Sequence, residues 1–284
     1  NFETLGIILE AVSELKSDIY NPLLFNLLNQ ENDDVKIASL QVLQSCKPAH
    51  LNLPDLVALI DSENESLSIE VIRLLGIWEV QESADILLEK LNETESQPKA
   101  LAFIDAMVFI GGEKITDYFK EMSQTEDIDF KGIALKALNK LDPNISQQLI
   151  QDCFQTNTPE LISLVLQHLM PSQSILFEKE LLTHYAKFTE VEKKKLIPKL
   201  IESGACLELA YKILSDENAF IQLYYVESLV SHKELIEKVL SKLKIESLQA
   251  MSLQRLFEIL QKHNDSDKVK QFLIENIQKV PTDI

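Results

Sequence analysis

Glycine is scarce, with six in 284 residues. That shortage argues against tight hairpins, phosphate loops and dinucleotide folds, all of which need left-handed turn positions. Cysteine is equally sparse. Cys46, Cys153 and Cys206 are odd in number and far apart, so neither a CxxC motif nor a disulfide framework exists. Each lies in an apolar helical context and is expected to be a buried free thiol, which favours a cytoplasmic setting. No run of 18 apolar residues occurs, and no membrane span is expected. Positive charge is short as well: 27 Lys and Arg stand against 45 Asp and Glu, a net charge of −18. A nucleic-acid binder needs a basic stripe to displace counterions, and anionic headgroups repel an acidic face. The excess serves either solubility or a partner with a basic surface. The chain opens Asn1-Phe2-Glu3 without Met or a signal-peptide pattern. It is therefore read as a piece of a longer protein, whose other parts are free to be membrane-tethered.

What is present is helix. Leu, Ile, Glu, Lys and Gln dominate a chain that is 45% hydrophobic and 25% charged, values of a folded and not a disordered protein. Short polar breaks start at Gln30, Asp61, Asn92, Gln124, Gln155, Lys187, Ser215 and Lys244. Successive starts differ by 31, 31, 32, 31, 32, 28 and 29 residues, a period that marks a repeat architecture. The breaks are rich in Asp, Glu, Asn, Ser and Thr, which cap helix N-termini. Between them lie two apolar-periodic segments each, for example Pro54–Ile60 with Glu65–Trp78, Ala84–Leu91 with Pro98–Ile110, and Ser174–Ala186 with Glu190–Ser203. Glu3–Lys16 and Asp267–Lys279 close the ends. Ile69, Ile72, Leu75 and Leu101, Ile104, Val108 illustrate the helical spacing. A single helix of this length is marginal in water, so the pairs are expected to stack on one another.

The second segments align on each other. Val35-Lys36-Ile37-Ala38-Ser39-Leu40 stands over Leu67-Ser68-Ile69-Glu70-Val71-Ile72, and Phe130-Lys131-Gly132-Ile133-Ala134-Leu135 falls under both. This pattern resembles the second helix of HEAT repeats, an Asp-led turn followed by Val-Arg-x-x-Ala-x-x-Ala-Leu-Gly. Asp34-Val35-Lys36 and Leu74-Leu75-Gly76 match it best, whereas the hallmark Arg is Lys, Ser or Ile here. The resemblance implies an all-α, right-handed superhelix of about nine helix pairs over residues 1–284. It also implies a concave face lined by the second helices and a role in protein binding. An irregularity is expected at 187–204, where Pro198 sits inside a helix.

Chemistry-bearing patterns are few. His50, His168, His184, His232 and His263 form no HExxH or His-Glu pair, so no metal or other cofactor is expected, and the histidines are read as surface or helix-end residues. Gly-x-Ser-x-Gly is absent, and Gly111-Gly112 is read as a helix cap. The expected protein is thus no enzyme but a scaffold or regulatory module. A bilin-lyase-like or DNA-glycosylase-like solenoid with a pocket remains the alternative. One solvent-facing position per repeat gives the candidate binding ladder Gln41, Arg73, Asp105, Lys136, Gln167, Glu227 and Glu258, with Tyr225 as an aromatic contact. Phe220 and Trp78 are expected in the core.

Overall fold

The computed structural model describes residues 11–12, 14–15, 18–45, 47–48 and 51–279. Most of the opening helix expected at Glu3–Lys16, together with Cys46 and His50, lies outside them. Among the described residues there are eighteen α-helices and no strand. The chain divides into two compact units, Asn1–Ser146 and Gln147–Ile284.

In the first unit the helices are α1 (Asn21–Leu27), α2 (Asp33–Leu43), α3 (Leu53–Ile60), α4 (Glu65–Ile77), α5 (Ala84–Glu93), α6 (Gln97–Ile110), α7 (Glu113–Ser123) and α8 (Ile128–Leu141). They pack in neighbouring pairs: α1 on α2, α3 on α4, α5 on α6, α7 on α8. The second helix of each pair also packs on that of the next pair, α2 on α4, α4 on α6 and α6 on α8. This is the arrangement of an all-α solenoid. Helix α9 (Pro143–Thr156) spans the division. The second unit continues with α10 (Pro159–His168), α11 (Pro171–Leu176), α12 (Glu178–His184), α13 (Glu190–Ser203), α14 (Leu207–Leu214), α15 (Ala219–Ser228), α16 (Lys233–Leu240), α17 (Ala250–Lys262) and α18 (Asp267–Asn276). There α10, α13, α15 and α17 follow one another as one layer, and α12, α14, α16 and α18 as the other.

The polar breaks work as caps. The side chain of Asn32 accepts from the Asp34 and Val35 amides at 2.9 and 3.4 Å, and that of Asn64 from the Leu67 amide at 3.3 Å. Ser96, Asp127, Thr189 and Asn218 cap α6, α8, α13 and α15 in the same way. Each such cap stabilises its helix by about 1 kcal/mol. Several caps also tie one repeat to the previous one. The Asn64 amide donates to Asp33 at 3.0 Å, the Ser96 hydroxyl to Glu65, and the Asn218 amide to Glu190 at 3.2 Å. A carboxylate of one first turn thus meets the cap of the next, which is why these residue types recur at the repeat period.

Beneath the caps, Leu40, Leu43, Leu56, Ile60, Leu67, Ile72, Leu74 and Leu75 are fully buried. Trp78 is buried as expected, its indole donating to the Leu43 carbonyl at 3.2 Å. In α6 the core stripe is rotated from the one read off the sequence. Ala102, Phe103, Ala106, Met107 and Ile110 are buried, while Leu101 is half exposed. The cause is close helix approach. A Cβ on Gly76 of α4 would lie 2.6 Å from the Cα of Ala106, so α6 presents its alanines to α4 and turns Leu101 outward.

One further expectation is corrected. The helix predicted over Ser174–Ala186 is split into α11 and α12, followed by a 3-10 turn at Tyr185–Lys187. By contrast, α13 is helical without interruption through Pro198. A break in the helical run comes earlier, between α11 and α12. Gly111 has φ +68° and ends α6, and Gly112 with φ +97° begins α7, so the pair caps both helices.

Candidate binding surface

Gln41, Arg73, Asp105, Lys136, Gln167, Glu227 and Glu258 are all exposed on the second helices of their pairs. Several are engaged with each other or with neighbours. Arg73 pairs with Glu70 at 3.0 Å one turn back. Lys136 stands 3.7 Å from Asp105, joining α8 to α6. In the second unit Arg255 reaches Glu227 at 3.6 Å and Glu258 at 2.8 Å, and the Gln167 carbonyl accepts from Lys199 at 3.2 Å. At this exposure such pairs contribute on the order of 0–1 kcal/mol each.

Tyr225 does not belong to the surface. It is 1% exposed, whereas Phe220, expected in the core, is 65% exposed. In α15, Ile221, Gln222, Tyr225 and Val226 turn inward and Phe220 and Tyr224 outward. Burial raises the Tyr225 phenol far above its ordinary range, and it stays neutral.

Between α4 and α6 runs a groove of about 500 Å3. Its floor is Ala102 and Ala106, where the helices come closest. Ile77, Leu101 and Phe109, each about half exposed, form the walls, and Arg73 and Asp105 stand at the rim. Lys140 of α8 lies over the Phe109 ring at 5.5 Å, which keeps that ring oriented at the surface. Large apolar side chains this close together on a surface make the groove a candidate interaction site. Such residues carry no polar pattern that would single them out in the sequence as a site. The signal was there in α6, which reads apolar around most of its circumference: a helix with more apolar positions than one stripe can bury.

Charge is unevenly placed around this groove. Helix α6 carries only Lys99 and Asp105, whereas α5 with its flanking loops carries Glu79, Glu82, Asp85, Glu89, Glu93 and Glu95 against Lys90.

The second unit holds a buried polar cluster. Asp216 accepts from the Tyr185 hydroxyl and from Lys193, both at 2.7 Å, and from the Asn218 amide at 2.9 Å. Burial alone would raise the Asp216 carboxyl; Lys193, Tyr185 and Asn218 outweigh it and hold the group below the ordinary range. Burial, and then the Asp216 carboxylate, push the Tyr185 phenol far up. The cluster pins the 3-10 turn after α12 to α13 and to the cap of α15. His184, at the end of α12 as one of the two expected settings, is buried and stacked on Phe154 at 5.7 Å. Cys153 and Cys206 are buried.

Among the described residues no group of three or more His, Cys, Asp or Glu is placed to hold a metal ion, and no helix is long and apolar enough to cross a membrane. Compared with known proteins, the chain matches no family model and no curated protein.

Proposed function

We propose that this chain is a non-catalytic, HEAT-like protein-binding module, and that a partner polypeptide lays an apolar segment into the groove between α4 and α6. The observation that carries the reading is the groove itself, with Ile77, Leu101 and Phe109 held half exposed above an alanine floor. Apolar anchors entering such a groove supply most of an interface's energy, while the rim residues Arg73 and Asp105 fix register. A partner with a basic surface, expected from the net charge, finds its counterpart on the carboxylates of α5 and its loops and not in the groove.

The test is selection of peptides from a displayed library on the purified chain, followed by affinity measurement on variants. Completing the burial of one half-exposed wall side chain is worth about 1–2 kcal/mol. Phe109→Ser and Leu101→Ser should therefore each weaken a selected peptide by about tenfold. Phe220→Ser, in the other unit, should leave it unchanged, and the triple change Arg73→Ala, Asp105→Ala, Lys136→Ala should alter its sequence preference. Peptides that keep full affinity for Phe109→Ser and Leu101→Ser would remove the groove from consideration.

A further inference from the structure

The second unit contains a cavity of about 210 Å3 between the turn that joins α9 to α10 and the junction of α12 with α13. It holds about seven waters at liquid density, which is small for a drug-sized ligand but ample for a small organic acid. Ile162 and Phe188, both buried, give it an apolar wall. His184, the last residue of α12, also lines it.

His184 is the unusual member of this wall. The residue is 8% exposed and lines the cavity. Phe154 covers one ring face at 5.7 Å with an interplanar angle of 19°. Lys187, three residues on, is an exposed lining residue without an ion pair. Glu192 is the carboxylate of the lining, but it is occupied by the α13 cap. It accepts from the Thr189 amide and hydroxyl at 2.8 Å each and from Ser163. An imidazole N–H and an ammonium beside an apolar wall suit one chemistry: a carboxylate attached to a small hydrocarbon body.

We propose that this cavity is a binding site for a small apolar monocarboxylate, with Lys187 and His184 holding the carboxylate and Ile162 and Phe188 packing its hydrocarbon part. The site is independent of the peptide groove, which lies in the other unit. In the free protein burial, and then the Lys187 ammonium, lower the His184 pKa, while Glu180 opposes them. A bound carboxylate adds negative charge beside the ring, so it raises the pKa of that one histidine and binds more tightly as the pH falls below neutrality.

The experiment is NMR titration of the full chain with benzoate, phenylacetate and isovalerate, with benzamide as the uncharged isostere. The histidine C–H resonances are followed against pH, and His184 is identified by the signal lost in His184→Gln. At least one acid is expected to saturate with a Kd of about 1 mM. It should raise the His184 pKa, lose about tenfold in affinity in Lys187→Met, and fail to bind Ile162→Trp, which fills the cavity. Circular dichroism on each variant confirms the native helix content, and Lys187→Met, at an exposed position, keeps the test intact should Ile162→Trp unfold. Failure of all three acids to saturate overturns the proposal. So does benzamide binding as tightly as benzoate, or unchanged affinity in Lys187→Met.

Discussion

Replacing Gly76 with alanine should destabilise the first unit, although alanine is the better helix former. The added Cβ would sit 2.6 Å from the Cα of Ala106, 2.9 Å from its Cβ and 3.2 Å from its carbonyl oxygen. Carbon atoms in contact prefer about 3.5–4.0 Å, so α4 and α6 must separate by about 1 Å. The closest atom belongs to the backbone, and no rotamer change relieves it. Overpacking of this kind costs about 1–3 kcal/mol, and a contact with main chain falls toward the upper end. Against it stands a gain of about 1 kcal/mol from removing a helical glycine. The net expectation is a loss of about 1–2 kcal/mol.

Trp78, the chain's single tryptophan, reports on this event. It is buried at the end of α4, bonded to Leu43 and 6.5 Å from the Phe25 ring. Urea unfolding followed by its fluorescence should show a lowered midpoint for Gly76→Ala. A thermal scan should show a fall of about 2–8 °C for a unit of this size. Ala106→Gly should not rescue the variant. It removes the contact at 2.9 Å but leaves the one at 2.6 Å, and it adds a second helical glycine. An unchanged or raised midpoint for Gly76→Ala, or full rescue by Ala106→Gly, would refute the close approach of α4 and α6. The shallow alanine floor of the groove would go with it.

Two further outcomes concern the second unit. Tyr185→Phe deletes the hydroxyl that donates to the buried Asp216 carboxylate, a bond to a charged group worth about 2 kcal/mol; thermal unfolding followed by circular dichroism should show a lower midpoint, and an unchanged one would mean the cluster contributes nothing. Acid should weaken this unit in two stages. His184 has a folded pKa below its ordinary 6.5, so its contribution is complete above that pH and is lost as pH falls through the depressed value. Asp216 is likewise held below 3.8, and its contribution is present above that pH and lost further down. Midpoints measured from pH 8 to 3 should lose the first stage in His184→Gln; a curve identical to that of the parent would refute the assignment.

The pairing of helices was legible because its determinants are local. Asn32, Asn64, Ser96, Asp127, Thr189 and Asn218 announce helix starts by their own chemistry, and their spacing announces the repeat. The exposed ladder followed from the same register, since a position counted from a cap keeps its rotation along a straight helix. Legibility failed where neighbours decide. One residue along a helix is a turn of 100°, and the difference between Phe220 outward and Tyr225 inward is set by how α15 seats on α13, α14 and α17. Two adjacent aromatic runs give no local reason to prefer one seating. His184 was read as a helix-end residue, and it is one. Its burial comes from Phe154, thirty residues earlier, which no periodicity connects to it.

The groove shows how a departure from a repeat pattern becomes a surface. Leu101 and Phe109 occupy positions that a regular second helix gives to polar residues. They are affordable there because Gly76 lets α4 come close enough for Ala102 and Ala106 to fill the contact by themselves. Leu101 and Phe109 are then surplus to the core and remain at the surface, where Lys140 covers part of one ring. Were these residues only core residues out of register, polar replacement at Leu101 and Phe109 would leave stability and binding alike unaffected. A binding surface instead predicts unchanged stability with lost affinity. That combination separates a recognition groove from an accident of packing.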